Sequence, residues 1–581
     1  MSNATASPVA TASPVATDLV NVQVNGTWMK FPRGLRMIEA LRRVGAEVPH
    51  YCYHPKLSSP GNCRMCLVET GMPARPAPGT TEVEKDEHGF AKIMWSPRPV
   101  IACANTVSDG LGIRTESTLT HEVRRGVMEF LLINHPLDCP ICDQAGECRL
   151  QEFSVEHGRG ESRFLEEKVK KPKNNQIGPR ITLDDERCIM CSRCVRFTDE
   201  IVDDPVLGFT ERGSHTVLTV HPDKELANNY SLNTVDICPV GALTSTDFRF
   251  SMRVWFLKET TSFCTGCARG CNTDIASRND IIHRQTPREN NDVNSAWMCD
   301  QGRLDFHWVN SERRLTAPLI KENGQHRPAT WQEAIAAAAA GLRGLAPSQI
   351  AIIASGRMTN EELYLARRLA AALDLGAENL DIIPRTGAAD NYLVHADRNP
   401  NTNGAKIIFT ATPGQQLDSI RERVRSGQVR AVIALRENLL NAHFTADDLT
   451  KLQHLVQTHV MLNTCADHAH AVLPGAAYAE KRGSMVNATG RLQRLNAATT
   501  PPGQARNDWE ILRDLILAIS GQNGLYTIDD VFRSMAAEIS EFSSLTLNTI
   551  GDTGIPFIQT GETVPLLQRE AERRAKGIIV G

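Results

Sequence analysis

The chain has 581 residues, with 63 Lys and Arg against 67 Asp and Glu and a formal net charge of −4. That length accommodates several domains with their own cores, and the balanced charge excludes a protein whose main ligand is nucleic acid, because phosphate binding calls for a basic excess. No uncharged apolar run of about 18 residues occurs, so no transmembrane helix is expected, and any membrane contact would pass through partner proteins.

The N-terminus repeats TASPVA at residues 5–10 and 11–16. It has neither the basic start nor the continuous apolar stretch of a signal peptide, so a cytoplasmic location is expected. Small residues and proline bury too little surface to offset ordering entropy, and residues 1–17 read as a flexible tail. Sixteen cysteines follow, fifteen of them between Cys52 and Cys299, with Cys465 alone beyond. In a reducing compartment such crowding points to metal before disulfides.

The first element, "LVNVQVNGTWMKFP", reads as strand, turn at Asn25-Gly26, strand, followed by a helix with apolar Leu35, Ile38 and Leu41. It feeds Cys52, Cys63, Cys66 and Cys103. A strand–helix unit running into a cysteine loop resembles a plant-type 2Fe–2S ferredoxin, although ten residues separate the first two cysteines where that pattern has four. Gly61 permits close backbone approach to a sulfur. Between Cys66 and Cys103, residues 71–89 are rich in Pro, Gly and charge and read as an inserted surface loop. Zinc, which also uses CxxC pairs, is the alternative occupant.

"NHPLDCPICDQAGECRLQ" holds His135, Cys139, Cys142 and Cys148. Three thiolates leave one iron of a 4Fe–4S cluster without a ligand, and a neutral imidazole can supply it. His135 precedes Pro136, which favours an extended turn and lets the ring face the cysteine loop. The alternative is a histidine beside the cluster or on the surface. The run Cys188, Cys191, Cys194 followed by Cys238-Pro239 is the bacterial-ferredoxin signature for a 4Fe–4S cluster, with Cys238 closing the same cluster. Cys264, Cys267, Cys271 and Cys299 form a third four-thiolate set, for which zinc is the stronger rival. Cys465 reads as a buried free thiol.

From about Leu315 an α/β rhythm replaces the cysteines. "PSQIAIIASG" reads as a buried strand, and "TNEELYLARRLAAALDLG" as a helix with a capping box from Thr359 to Glu362. "KIIFTATP", "VRAVIALREN" and "HVMLNT" read as further strands of a parallel sheet. No GxGxxG after a strand and no GxxxxGK[ST] occurs, and no catalytic residues stand out.

Over nearly its whole length the chain resembles the G-type iron–sulfur subunit of respiratory complex I, the NADH-quinone oxidoreductase. "YCYHPKLSSPGNCRMCLVE", "HPLDCPICDQAGECRLQ" and "RCIMCSRCVRF" with "DICPVGAL" carry the likeness. After Cys264, "RLTAPLIKENGQHRPATWQEAI" and "AVLPGAAYAEKRGSMVNATGRLQR" are similar to the molybdopterin oxidoreductase fold. The resemblance implies one 2Fe–2S cluster on Cys52, Cys63, Cys66 and Cys103, and 4Fe–4S clusters on the His135 and Cys188 sets. The Cys264 set adds a third 4Fe–4S cluster off the main route, and a shortened pterin-type domain serves without molybdopterin.

The expected organisation is multidomain, α+β and then α/β. A tail at 1–17 precedes a 2Fe–2S ferredoxin-like domain at 18–118. Three 4Fe–4S domains follow at 119–158, 159–256 and 257–313, and a molybdopterin-oxidoreductase-like α/β domain occupies 314–581. The resemblance further implies a relay from the flavin of an NADH-binding partner, through the 2Fe–2S, Cys188 and His135 clusters, toward quinone. Proton translocation would occur elsewhere. The partners would be the flavin- and NADH-binding subunit and other peripheral-arm subunits, on the cytoplasmic side of the membrane. A histidine in place of a thiolate removes negative charge and should raise that cluster's potential. Two rival readings stand beside this one: the wiring subunit of an NAD-linked formate dehydrogenase or hydrogenase, and a zinc-stapled interaction protein.

Overall fold

A computed structural model describes residues 18–76, 81–410, 412–522 and 524–579. The expected N-terminal tail lies outside the described residues. The chain divides into two compact units. One runs to Arg249 and takes back the segment from Glu570 onward, and the other is Phe250–Arg569. Residues from 570 on thus group with the first unit, not with the C-terminal domain to which the sequence pattern assigns them.

In the first unit, alternating Val20, Val22 and Val24 bury one face of the strand Leu19–Val24, which pairs antiparallel with Thr27–Pro32 across the Asn25-Gly26 turn. Both turn residues have positive φ, 48° and 90°, as a tight two-residue hairpin needs. Leu19–Val24 also pairs parallel with Leu111–Arg114, which continues antiparallel to Leu67–Pro73 and then to Ile93–Trp95. Helix Met37–Arg43 packs Ile38 and Leu41 on this sheet, as its apolar spacing predicts.

The expected inserted loop is partly structured. Gly71–Pro73 belongs to a strand, and the indole of Trp28 donates to Asp86 at 2.7 Å and stacks on Phe90 at 4.1 Å. Past this sheet come the helices Thr118–Leu132 and Arg149–His157. A three-stranded sheet follows in the order 243–245, 181–183, 175–178, and helix Arg193–Glu200 carries Cys194.

The second unit opens with the antiparallel strands Lys258–Phe263, Asn272–Arg278 and Ile281–Pro287. A seven-stranded sheet follows. Leu380–Ile383, Ile350–Ser355, Ala431–Leu435, His454–His459 and Ala471–Pro474 lie parallel in that order, and the hairpin Leu319–Glu322 with Gln325–Pro328 adds antiparallel at the edge. Apolar cores cover both faces of the sheet. The capping box is present: Thr359 accepts from the Glu362 amide, and Glu362 accepts from the Thr359 amide.

Two strand expectations are corrected. Among the described residues "KIIFTATP" contains no strand, and its first three residues end the helix Thr402–Ile408, with Ala405 and Ile408 buried three apart. "HVMLNT" overlaps a strand only at His459, because the strand is His454–His459. Its buried His454 and Gln457 disguise it in sequence. The His454 ring bonds to Ala338 O at 3.0 Å, and the Gln457 side-chain amide donates to Glu437 O at 2.7 Å.

Candidate metal centres

The four cysteines of the first set gather at one end of the ferredoxin-like sheet. Cys66 sits directly before strand Leu67–Pro73, Cys103 directly after the strand Val100–Ile101 and its alanine, and Cys52 and Cys63 in the loops between. Their thiols interact with one another, Cys52 with both Cys63 and Cys103, and Cys103 with Cys66. All four are buried. Gly61 adopts φ 64° beside Ile101, which a side chain would disfavour, and it turns the chain toward Cys63.

His135, Cys139, Cys142 and Cys148 line one cavity of about 840 Å³, together with Asp138, Arg187 and Gly241. The first helix of this region ends at Leu132, which delivers His135. Cys148 is the residue before the helix Arg149–His157 and receives the amides of Leu150 and Gln151. Burial, with help from Arg187 and Lys168, pushes the His135 ring down to about 4, so it is neutral and has a lone pair to offer a metal. Burial pushes the Cys148 thiol up to about 11. A deprotonated thiol there therefore calls for metal charge.

Cys188, Cys191, Cys194 and Cys238 line a small cavity of their own. Burial raises the Cys238 thiol to about 12, while the amides of Val240, Leu243 and Ala242 act in the opposite sense by donating toward its sulfur. In the second unit, the loop between two antiparallel strands carries Cys264, Cys267 and Cys271, closed by Cys264 N–H donating to Cys271 O at 2.7 Å. Cys299 caps the short helix Asp300–Leu304, accepting from the Gly302 amide at 3.3 Å, and the Gly266 amide donates to Cys264 Sγ at 3.4 Å.

The structure thus brings each predicted set together. Among the described residues, no three or more His, Cys, Asp or Glu side chains close on a single point as one metal ion requires. A cluster spreads its ligands over several irons, so its thiolates need not share a centre. The donor chemistry fits clusters: each set gathers four thiols, or three with a neutral imidazole, most of them buried although Cys139 is exposed, and main-chain amides stabilise sulfur charge. Cys465 stands apart, fully buried in an apolar core.

Four residues that no sequence motif singles out link the sets. Arg193 donates to Ile237 O, beside Cys238, and to Tyr53 O, beside Cys52. Arg196 donates to Cys52 O and Ser58 O. Arg187 donates to Asp138 at 3.0 Å and lines the His135 cavity while adjoining Cys188. Asn62 adds a bond to Met190 O at 3.0 Å. Residues 238–241 serve two sets at once. Cys238 belongs to the Cys188 set, whereas Gly241 lies so close to Cys142 that an added Cβ would stand 2.3 Å from its sulfur. Cys52, Cys63, Cys148 and Cys191 share one apolar core with Tyr51 and Met128, and Cys188 and Cys238 pack at its edge.

Comparison with known proteins agrees with this layout. Residues 17–118 match the 2Fe-2S iron-sulfur cluster binding domain, and 124–163 match the NADH-ubiquinone oxidoreductase-G iron-sulfur binding region. Residues 178–244 match the ferredoxin-like domain of NADH-quinone oxidoreductase subunit 3, and 314–390 with 376–518 match molybdopterin oxidoreductase. The chain is 32% identical to the mitochondrial NADH-ubiquinone oxidoreductase 78 kDa subunit of Neurospora crassa, over 90% of this chain and 83% of that one. It is 37% identical to the G-type NADH-quinone oxidoreductase subunit of Rickettsia felis over 63% of this chain, and to subunit 3 of the Thermus thermophilus enzyme over 64%. The chain spans about half the length of these two relatives, 50% and 48%.

Proposed function

Because the chain belongs to the family of G-type iron–sulfur subunits of NADH-quinone oxidoreductase, we propose that it is the electron-wiring subunit of such a complex, relaying single electrons from the flavin of a neighbouring subunit toward quinone. The observation that carries this reading is the shared apolar core, in which cysteines of three ligand sets pack together. Clusters bound to these sets would supply one-electron transfer.

In this reading Cys52, Cys63, Cys66 and Cys103 hold a 2Fe–2S cluster. His135 with Cys139, Cys142 and Cys148 holds a 4Fe–4S cluster, and so does Cys188 with Cys191, Cys194 and Cys238. Cys264, Cys267, Cys271 and Cys299 hold another, away from the main route. The rest of the chain fixes distances. Arg193 and Arg196 lock the Cys52 loop to the helix bearing Cys194. Residues 238–241 tie the Cys188 and His135 sets together, since Cys238 belongs to the first and Gly241 lies against Cys142 of the second. The C-terminal sheet serves as scaffold without a pterin. The partners are a flavin- and NADH-binding subunit and other peripheral-arm subunits, at the cytoplasmic face of the membrane. Among the described residues no helix is long and apolar enough to cross a membrane, so contact with it runs through those partners.

The test is metal analysis with EPR on anaerobically purified protein. One 2Fe–2S and three 4Fe–4S clusters require about 14 irons per chain. Zinc in their place would overturn the reading, and near-stoichiometric molybdenum would favour a formate dehydrogenase subunit instead.

A further inference from the structure

The 15-residue helix Thr118–Leu132 turns Thr120, Arg124 and Met128 inward, four apart on one face. That face packs on strand Leu67–Pro73, which starts directly after Cys66, and Met128 shares the apolar core with Cys52 and Cys63. Arg124 is carried there with 0% exposure, and its Nε, Nη1 and Nη2 find no hydrogen-bond acceptor. Glu116 is an ion-pair neighbour at 3.6 Å, outside hydrogen-bond distance, and its side chain is 60% exposed and shared with His121. His157 nearby is no anion, since burial and Arg124 both favour its neutral ring. A guanidinium does not shed its proton, and a buried cation with five donors idle is costly unless a negative group faces it. Burial weakens Arg124's hold on its proton, whereas Glu116 and the Cys66 thiol strengthen it.

We propose that Arg124 is the counter-charge of the 2Fe–2S cluster held by Cys52, Cys63, Cys66 and Cys103, and that it raises the reduction potential of that cluster. The inference rests on the cluster assignment above. Reduction brings one electron from the upstream donor, moves no proton, and adds one negative charge to a cluster that is already anionic. Arg124 stays charged throughout and opposes that gain. Arg124 and Cys66 belong to different elements, a helix and the start of the strand it packs on, so the fold, not the cysteine loop alone, sets the cluster's electrostatics.

The experiment is an EPR-monitored redox titration of the full chain with its clusters, comparing Arg124→Gln, Arg124→Lys and Glu116→Gln. At fixed solution potential, Arg124→Gln should lower the reduced-to-oxidised ratio of the 2Fe–2S cluster about tenfold, equivalent to about 59 mV for one electron. Arg124→Lys, which keeps the charge, should stay within about threefold of the unsubstituted chain. Glu116→Gln should move the ratio upward. A filled Arg124→Gln cluster with an unshifted ratio would overturn the proposal. If Arg124→Gln fails to hold the cluster, Glu116→Gln decides, and an unchanged ratio there overturns it. A missing 2Fe–2S signal in the unsubstituted chain would instead remove the cluster assignment and the proposal with it.

Discussion

At the scale of single residues, arginines that are not themselves metal donors hold the cysteine groups against each other. Arg124 and Arg193 sit on helices where an arginine ordinarily faces solvent, and only the fold shows Arg124 buried and Arg193 bonded to the carbonyls of Ile237 and Tyr53. His135 is the sharper case, since its spacing alone left open whether it lies beside the cluster. It lines the same cavity as Cys139, Cys142 and Cys148, as the proposed ligand role requires. Replacing His135 by Ala should remove one 4Fe–4S cluster, taking iron from about 14 to about 10 per chain while the other EPR signals persist. Unchanged iron would exclude the ligand role. Gly241→Ala is predicted to act on the same cluster, because a Cβ there would stand 2.3 Å from Cys142 Sγ. Contact that short forces the sulfur or the loop to move. The expected result is reduced iron at the His135 site with the 2Fe–2S signal unchanged.

At the scale of elements, strong local signals survived and composition-only signals did not. The helix Asn360–Ala372 was readable from its capping box and its Leu365 and Leu369 stripe. Thr359→Ala should cost about 1 kcal/mol, read as a lowered midpoint in denaturant. "KIIFTATP" misled because a short apolar run fits a strand or a buried helix equally, and periodicity over a few residues does not separate them. The start of the Asn360–Ala372 helix also carries a pH effect that no sequence pattern announces. Glu361 is fully buried and accepts from Ser484 N at 2.9 Å and Ser484 Oγ at 2.6 Å, yet burial pushes its carboxyl up to about 7 from 4.5. The folded form keeps the proton longer than the unfolded chain, so this contribution is complete below pH 4.5. It is lost progressively as pH rises to about 7, a loss of about 3 kcal/mol. Glu361→Gln cannot ionise. Stability curves from pH 5 to 8 should therefore run flatter in the variant than in the unsubstituted chain, and parallel curves would refute the assignment.

At the scale of the whole molecule, the sequence strings the four cysteine groups between Cys52 and Cys299, and the fold divides them three and one. The Cys52, His135 and Cys188 sets lie in the first unit around one apolar core, whereas Cys264, Cys267 and Cys271 adjoin the separate core formed by Phe263, Ile275, Phe306 and Tyr478 in the second. Disturbance should therefore spread among the first three and stop short of the fourth. Cys191→Ser sits in the shared core with Cys63, and Arg193, two residues on, holds both the Cys238 and Cys52 loops. It should empty its own site and also broaden or shift the 2Fe–2S signal. Cys264→Ser should lower iron by about four per chain and leave the 2Fe–2S and His135-site spectra as they were. The opposite pattern, with Cys264→Ser altering the 2Fe–2S signal and Cys191→Ser leaving it untouched, would mean that cluster sites couple by something other than a common core. Apolar packing has no long-range reach: side chains feel one another through contact, and two cores without shared residues transmit strain poorly. The division into cores, and not the count of cysteines, is what should decide which clusters respond together.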